Sequence, residues 1–422
     1  MSLTKRIQLS IMMFLQFMLV AAFFPQLSAY IAKIGIEGNM AATIMVTMAI
    51  GMLFSPLVGM IADRFLNAEK VLLILNALVA VFLFLSAGTQ DPAMLFMWLL
   101  LAMFFYMPTW GLTSSIAITN STTDAFPSIR VFGSIGWVCA AVFAIAGRVL
   151  FTDAAGQPVV IDGTNVPLYC AAGVAAFAAV FALFLPKTAP AAKGQPLSLV
   201  DALGLRAFSL FKDKNFAIFI LCSCLVMLTF VIYWLNFGEF LAAIGIESIT
   251  ATMAIGQVSE MFFMLLLPLA IKIFGLKISM AFGIAAMLLR YALCYFGVDV
   301  IEFVYLAIAV HGIIFGFFFV GGQIYVSKKA PKELQAQAQG LLFLMVFGVA
   351  QFIGGYLTRF LIDYNTQIAA AASETITNAG AQVAVVAAKT IDWQNIFLIE
   401  TVGTAVVLVI FLLFFKTESK EA

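Results

Sequence analysis

The sequence predicts an all-α integral membrane protein, with twelve transmembrane helices in two six-helix bundles. Three observations predict it. Hydrophobic residues make up 64% of the chain and charged ones only 10%, too few to clothe a water-soluble domain of this length. The apolar residues gather into twelve long stretches, and a hydrocarbon core about 30 Å thick takes roughly 20 apolar residues per helical span. A basic segment, Pro186 to Asn215, divides the first six stretches from the last six.

The spans fall at about 7–31, 40–62, 70–88, 92–118, 128–151, 166–185, 215–243, 248–271, 278–297, 302–326, 335–362 and 393–415. The first follows Lys5 and Arg6 and resembles a signal peptide. Its length and the lack of a small-x-small cleavage site mark it as a retained helix. Outside the spans, most Lys and Arg lie on the side of the N-terminus, from Lys5 and Arg6 through Lys187, Lys193, Lys328 and Lys329 to Lys416. Lys33, Arg148, Arg359 and Lys389 lie opposite. This bias places both termini in the cytoplasm, and an even number of spans agrees.

Residues 1–186 and 215–422 form the two expected bundles, joined by a cytoplasmic linker, 187–214. Its apolar residues Leu203, Leu205, Phe208, Leu210 and Phe211 suggest a short interfacial helix. The outer loop at about 364–392 is too polar to span, and suits either a surface helix or no regular structure. Six plus six spans match transporters that hold their substrate at mid-membrane between two halves. The net charge of +1 gives no electrostatic reason for a nucleic-acid partner. Cys139, Cys170, Cys222, Cys224 and Cys294 all fall in spans and read as small apolar fillers. Neither a metal site nor a cofactor is expected.

Buried polar residues are where function is sought, because a charge at mid-membrane costs from about 3 kcal/mol upward. Arg130, Ser134 and Trp137 share one helical face at i, i+4 and i+7. A fixed fork of donors, a hydroxyl and a flat aromatic suit a planar polar ligand. Alternatively, Arg130 reaches the inner interface. Gln257 and Glu260 share a face of the eighth span, where Glu260 can carry a proton or act as polar glue between helices. His311 titrates near neutral pH in its free form and can relay protons. It can equally be a neutral, hydrogen-bonded helix residue. Arg290 reads as structural, pairing with an acid or reaching outward. Tyr233, Trp234 and Asn236 before Gly238 fit a bent, cavity-lining helix or an aromatic belt. Gly340, Gly348, Gly354 and Gly355 suggest close packing.

The turn after the second span, Gly59-Met-Ile-Ala-Asp63-Arg64, resembles the G-x-x-x-D-R loop of the major facilitator superfamily, which latches the two halves together on the inner side. The latch residues are then Gly59, Asp63 and Arg64. Further segments narrow the resemblance to the nucleoside:proton symporters of that superfamily, the NupG-type permeases. They are Phe14-Leu-Gln16-Phe17, Tyr106-Met-Pro108-Thr109, Phe126-Pro-Ser-Ile-Arg130-Val-Phe-Gly133-Ser134-Ile-Gly136, Gln257-Val-Ser259-Glu260, Ala338-Gln339-Gly340 and Asp392-Trp393.

The resemblance implies the major facilitator fold and a monomer in the inner membrane that carries a nucleoside with a proton by alternating access. It implies substrate and proton roles for Arg130, Gln257 and Glu260, with Ser134 and Trp137 as neighbours. Relatives carry Gln and Asn in span 7 where this chain has Val231 and Trp234. They carry Tyr and a Phe-Asp pair in span 10 where it has His311, Phe315 and Gly316. The expected substrate contacts are therefore Arg130, Ser134, Trp137, Trp234, Gln257, Glu260, His311 and Phe315, with Glu260 and His311 for proton coupling. The sequence leaves open a sugar or other small polar cargo, and a receptor of transporter-like fold. One histidine and scattered acids argue against an enzyme.

Overall fold

The structure, a computed structural model, describes residues 1–36, 38–152, 156–157, 159–161, 163–194, 205–246, 249–377 and 391–416. Helices dominate it, because lipid offers backbone groups no partner and a helix satisfies them within itself. Several helices start where the sequence supplies a cap. Asp91, Asp213 and Asp392 accept from the backbone N–H groups of Met94, Phe216 and Asn395. Pro92, Pro108, Pro127 and Pro167 occupy first turns, where a missing N–H costs nothing.

Among the described residues, ten continuous helices are long and apolar enough to cross a membrane. The difference from the expected twelve has two causes. Spans eight and nine are two helices that follow each other within Ile249–Gly297 with only a kink at Gly275 (φ 75°) between them, a backbone angle that glycine adopts without strain, so they count as one continuous stretch. The second span is divided into Gly38–Met45, Thr47–Gly51, a 3-10 turn Met52–Phe54, and Ser55–Arg64. Pro56 lacks the N–H that would continue the ladder there.

The helix Leu3–Ala21 packs on Phe126–Cys139, and Ala68–Ala87 on Val166–Phe181. Later in the chain, Ile249–Gly297 packs on Ile301–Ala309 and Trp393–Phe414. The linker is tied to the first group of helices. Thr188 N–H donates to Glu69 Oε2 at 2.8 Å, and Ala192 N–H to the Asp63 carbonyl at 2.9 Å. Arg206–Lys212 forms a 3-10 helix where an interfacial helix was expected, and 195–204 lie outside the described residues. The helix from Gln351 runs to Thr377, so the first part of the expected outer loop extends span eleven. Residues 378–390 lie outside the described set.

The two groups of helices close against each other on the side that carries the N-terminus. Asp63 Oδ1 and Oδ2 accept from the N–H groups of Ala336 (3.1 Å) and Gln337 (2.9 Å), at the start of the helix Gln335–Phe343. A Cβ on Gly59 would lie 2.7 Å from Ala336 backbone, and one on Gly340 would lie 2.6 Å from the Ser55 carbonyl. These glycines therefore let two backbones touch. Arg64 is buried beside Asp63. Nearer mid-membrane, Ser114 Oγ donates to Gln323 Oε1 at 2.7 Å.

Candidate functional site

Above this closure lies a narrow cavity of about 30 Å³. Phe17, Trp110, Arg130, Ser134, Trp137, Trp234, Gln257, Glu260, Phe315 and Phe347 line it. Seven of the eight expected substrate residues therefore meet in one place. His311 does not line the cavity, and it sits one layer back, behind Glu260.

Glycine spacing explains how Arg130 is presented. A Cβ on Gly133 would lie 2.5 Å from Arg130 Nη1 and 2.7 Å from the Phe17 ring. One on Gly136 would overlap the Phe14 carbonyl. The first and fifth spans thus press together, and the guanidinium carbon lies over the Phe17 ring, 3.9 Å from its centroid. Phe17 is held in turn by a polar knot beside it. Gln16 Nε2 donates to Asn76 Oδ1 (3.0 Å), Thr109 Oγ1 to Gln16 Oε1 (2.9 Å), and Tyr106 Oη to the Gln16 carbonyl (2.6 Å). Arg130 is 3% exposed, so it does not reach the interface, the alternative the sequence had left open. Removing one partner from such a buried charge typically costs about 3–5 kcal/mol.

The Gln257-Val-Ser259-Glu260 segment divides its labour by helical face. Gln257 and Glu260 line the cavity, while Val258 is exposed. Ser259 staples the eighth span to the tenth, its Oγ donating to the Ala309 carbonyl and accepting from Gly312 N–H. A Cβ on Gly312 would overlap Ser259 backbone. This close approach brings His311 Nε2 to 3.6 Å from Glu260 Oε2. From the other half, Ser134 Oγ donates to Glu260 Oε1 at 2.5 Å. Glu260 thus joins the fifth and eighth spans at mid-membrane.

Trp234 enters the cavity because Ile232–Asn236 is a π-helical turn, a bulge common at functional sites. Its ring lies 6.1 Å from that of Trp137. Further π-helical turns run through Ile314–Val320, which carries Phe315, and Leu344–Ala350, which carries Phe347. Val231 is core, and a Cβ on Gly354 would sit 2.7 Å from it. At Gly316, a Cβ would lie 3.2 Å from Met264 backbone, so the position where relatives hold an acid is taken up by helix packing.

Sequence reasoning missed Phe17, Trp110 and Phe347. Phe17 stood in a quoted segment without a role, while Trp110 beside Pro108 was a signal that could have been used. Arg290 departs from both of its expected alternatives. It does not reach outward, and among the described residues it pairs with no carboxylate. It is fully buried, its Nε donating to the Ala307 carbonyl (3.2 Å) and its Nη2 to His311 Nδ1 (2.9 Å), with its Cζ over the Tyr233 ring, 3.7 Å from the centroid.

Residues 1–420 match the family described as nucleoside H+ symporters. The chain belongs to that family. It is 33% identical over 426 residues to the putative nucleoside transporter YegT of Escherichia coli K12, covering 98% of this chain and 94% of that protein. It is 29% identical to the nucleoside permease NupG of the same organism, covering 97% and 96%. With the E. coli xanthosine permease it shares 30% identity over 85% of this chain and 88% of that protein. A crystal structure of a NupG point mutant superimposes with a TM-score of 0.70 at 28% identity, over 97% of this chain and all of that one. A XylE double mutant reaches 0.70 at 11% identity, over the whole of this chain and 97% of that one, which shows a shared fold alone. The nucleoside H+ symporter chain is thus a multi-pass membrane transporter of the major facilitator fold and not an enzyme. Its reaction is nucleoside:proton symport, which selects among the cargoes the sequence had left open.

Proposed function

We propose that nucleoside and proton share the cavity between Arg130 and Glu260. What carries this reading is a set of unmet donors beside one carboxylate. Among the described residues, Arg130 Nη1 and Trp110 Nε1 are buried without a hydrogen-bond partner, and Glu260 is the one carboxyl in the lining. A nucleoside supplies acceptors for both donors. Its ribose hydroxyls donate to Glu260 or Gln257, and its flat base stacks on Trp137, Trp234 or Phe315.

Glu260 carries the proton. Ionised, it accepts from Ser134 and balances Arg130. Protonated, it releases that balance, so its charge is coupled to what else fills the cavity. The bodies 1–186 and 215–422 rock about this site, with 187–214 as their tether. The Asp63 contact holds the cytoplasmic side shut in one of the two access states. Both termini lie in the cytoplasm, following the positive-inside bias, and the protein works as a monomer in the inner membrane without nucleic acid.

Uptake into proteoliposomes tests the proposal. Glu260→Gln keeps the shape and most hydrogen bonds but cannot titrate. It abolishes accumulation of labelled nucleoside driven by a pH gradient and leaves nucleoside exchange partly intact. Undiminished accumulation by Glu260→Gln refutes the assignment.

A further inference from the structure

His311 is the chain's one histidine, and neighbours flank its ring on three sides. Arg290 Nη2 donates to Nδ1 at 2.9 Å. Nε2 faces Glu260 Oε2 at 3.6 Å. The ring face stacks on Tyr233, with centroids 5.0 Å apart. A guanidinium has only donors to offer and is always charged in proteins. The contact at Nδ1 therefore needs a bare lone pair, and the proton of a neutral imidazole must sit on Nε2, facing Glu260.

We propose that Arg290 is a positioning residue that holds His311 as the neutral Nε2–H form. His311 then presents its Nε2–H to Glu260 across 3.6 Å and takes no part in carrying the transported proton. A second proton on His311 would set an N–H against the Arg290 N–H. Relieving that clash would mean moving a guanidinium that the Ala307 carbonyl and the Tyr233 ring hold in place.

The other charged or titratable groups around His311 leave one acceptor. Tyr233 faces it from the seventh span, Glu260 from the eighth, and Arg290 from the ninth with Tyr291 and Cys294 beside it. Arg130 stands beyond Glu260. Free tyrosine and cysteine keep their protons at neutral pH, so among these groups only Glu260 is open to exchange. The exchange at Glu260 rests on its proposed role, whereas the state of His311 does not.

The test uses full-length protein with 15N-labelled histidine, purified through a histidine-free tag, so that His311 alone reports. Between about pH 5 and 8, where a free imidazole titrates, the spectrum shows Nε2 protonated, Nδ1 bare, and no change. Arg290→Lys, which keeps a cationic donor, behaves alike. Arg290→Met releases Nδ1, and a titration enters that window. In proteoliposomes it adds a second inflection to the pH profile of uptake, which Arg290→Met with His311→Asn removes. A wild-type imidazole that titrates in the window, a proton found on Nδ1, or an Arg290→Met ring that stays neutral overturns the proposal. If Arg290→Met does not fold, the wild-type and Arg290→Lys spectra decide it. If the spectra are as expected while Glu260→Gln still accumulates nucleoside, the Glu260 reading falls and the Arg290 proposal stands.

Discussion

Asp63→Asn isolates the latch between the two halves. In the closed arrangement both carboxylate oxygens accept backbone N–H groups, from Ala336 and Gln337, at the first turn of the helix Gln335–Phe343. Asparagine has one carbonyl oxygen, so one of these bonds is lost and an amide N–H₂ is left against a backbone donor. A hydrogen bond to a charged group contributes about 1.5–3 kcal/mol, and a negative charge at a helix N-terminus adds about 0.3–1 kcal/mol. The closed state thus loses roughly 2–4 kcal/mol, while the state opened on that side loses nothing. At about 1.4 kcal/mol per tenfold change, the closed-to-open ratio falls roughly 30- to 700-fold.

Spin labels at Leu66 and Lys332, one on each side of the latch and both exposed, read this directly. The wild type gives a short distance, and Asp63→Asn gives a longer one or a mixture. Gly59→Val reaches the same end by a different route, because its Cβ would lie 2.7 Å from Ala336 backbone. If both variants fold, as judged by thermal melting, and both keep the wild-type distance distribution, the latch reasoning is wrong.

Arg130→Ala weakens nucleoside binding by about ten-fold to more than a hundred-fold, for a lost hydrogen bond to a charged group, and Gln257→Ala by about two- to ten-fold, for a neutral one, with folded protein retained. Equilibrium binding in detergent checks this, and unchanged affinity in both returns these residues to structural roles. Cysteines placed at Lys5, Lys193 and Lys416 label only from the cytoplasm, and those at Gln157 and Asp299 only from outside. Opposite sidedness for Lys5 and Lys416 contradicts the proposed topology.

Much of the site was legible because polar residues in lipid are costly and therefore conspicuous. Arg130 and Glu260 stood out as charges within apolar runs. Ser134, Trp137 and Gln257 followed from helical spacing. Trp110, Phe17 and Phe347 did not stand out, since an aromatic residue in a span looks the same whether it faces lipid, core or cavity. The division of span two escaped for a related reason. Hydropathy registers apolar length, not the missing donor of one proline.

The sequence by itself determined that this chain crosses a membrane repeatedly, where its basic loops lie, and which few charges had to be accounted for. Those properties follow from the transfer energies of single residues, which need no knowledge of neighbours. The tertiary structure decided the partners. His311 looked like a candidate proton carrier at a cavity wall, and folding set it behind Glu260 with Arg290 on its other nitrogen. The two residues lie 21 positions apart on different helices. Whether an imidazole accepts or donates depends on what faces each ring nitrogen, and helix packing alone sets that.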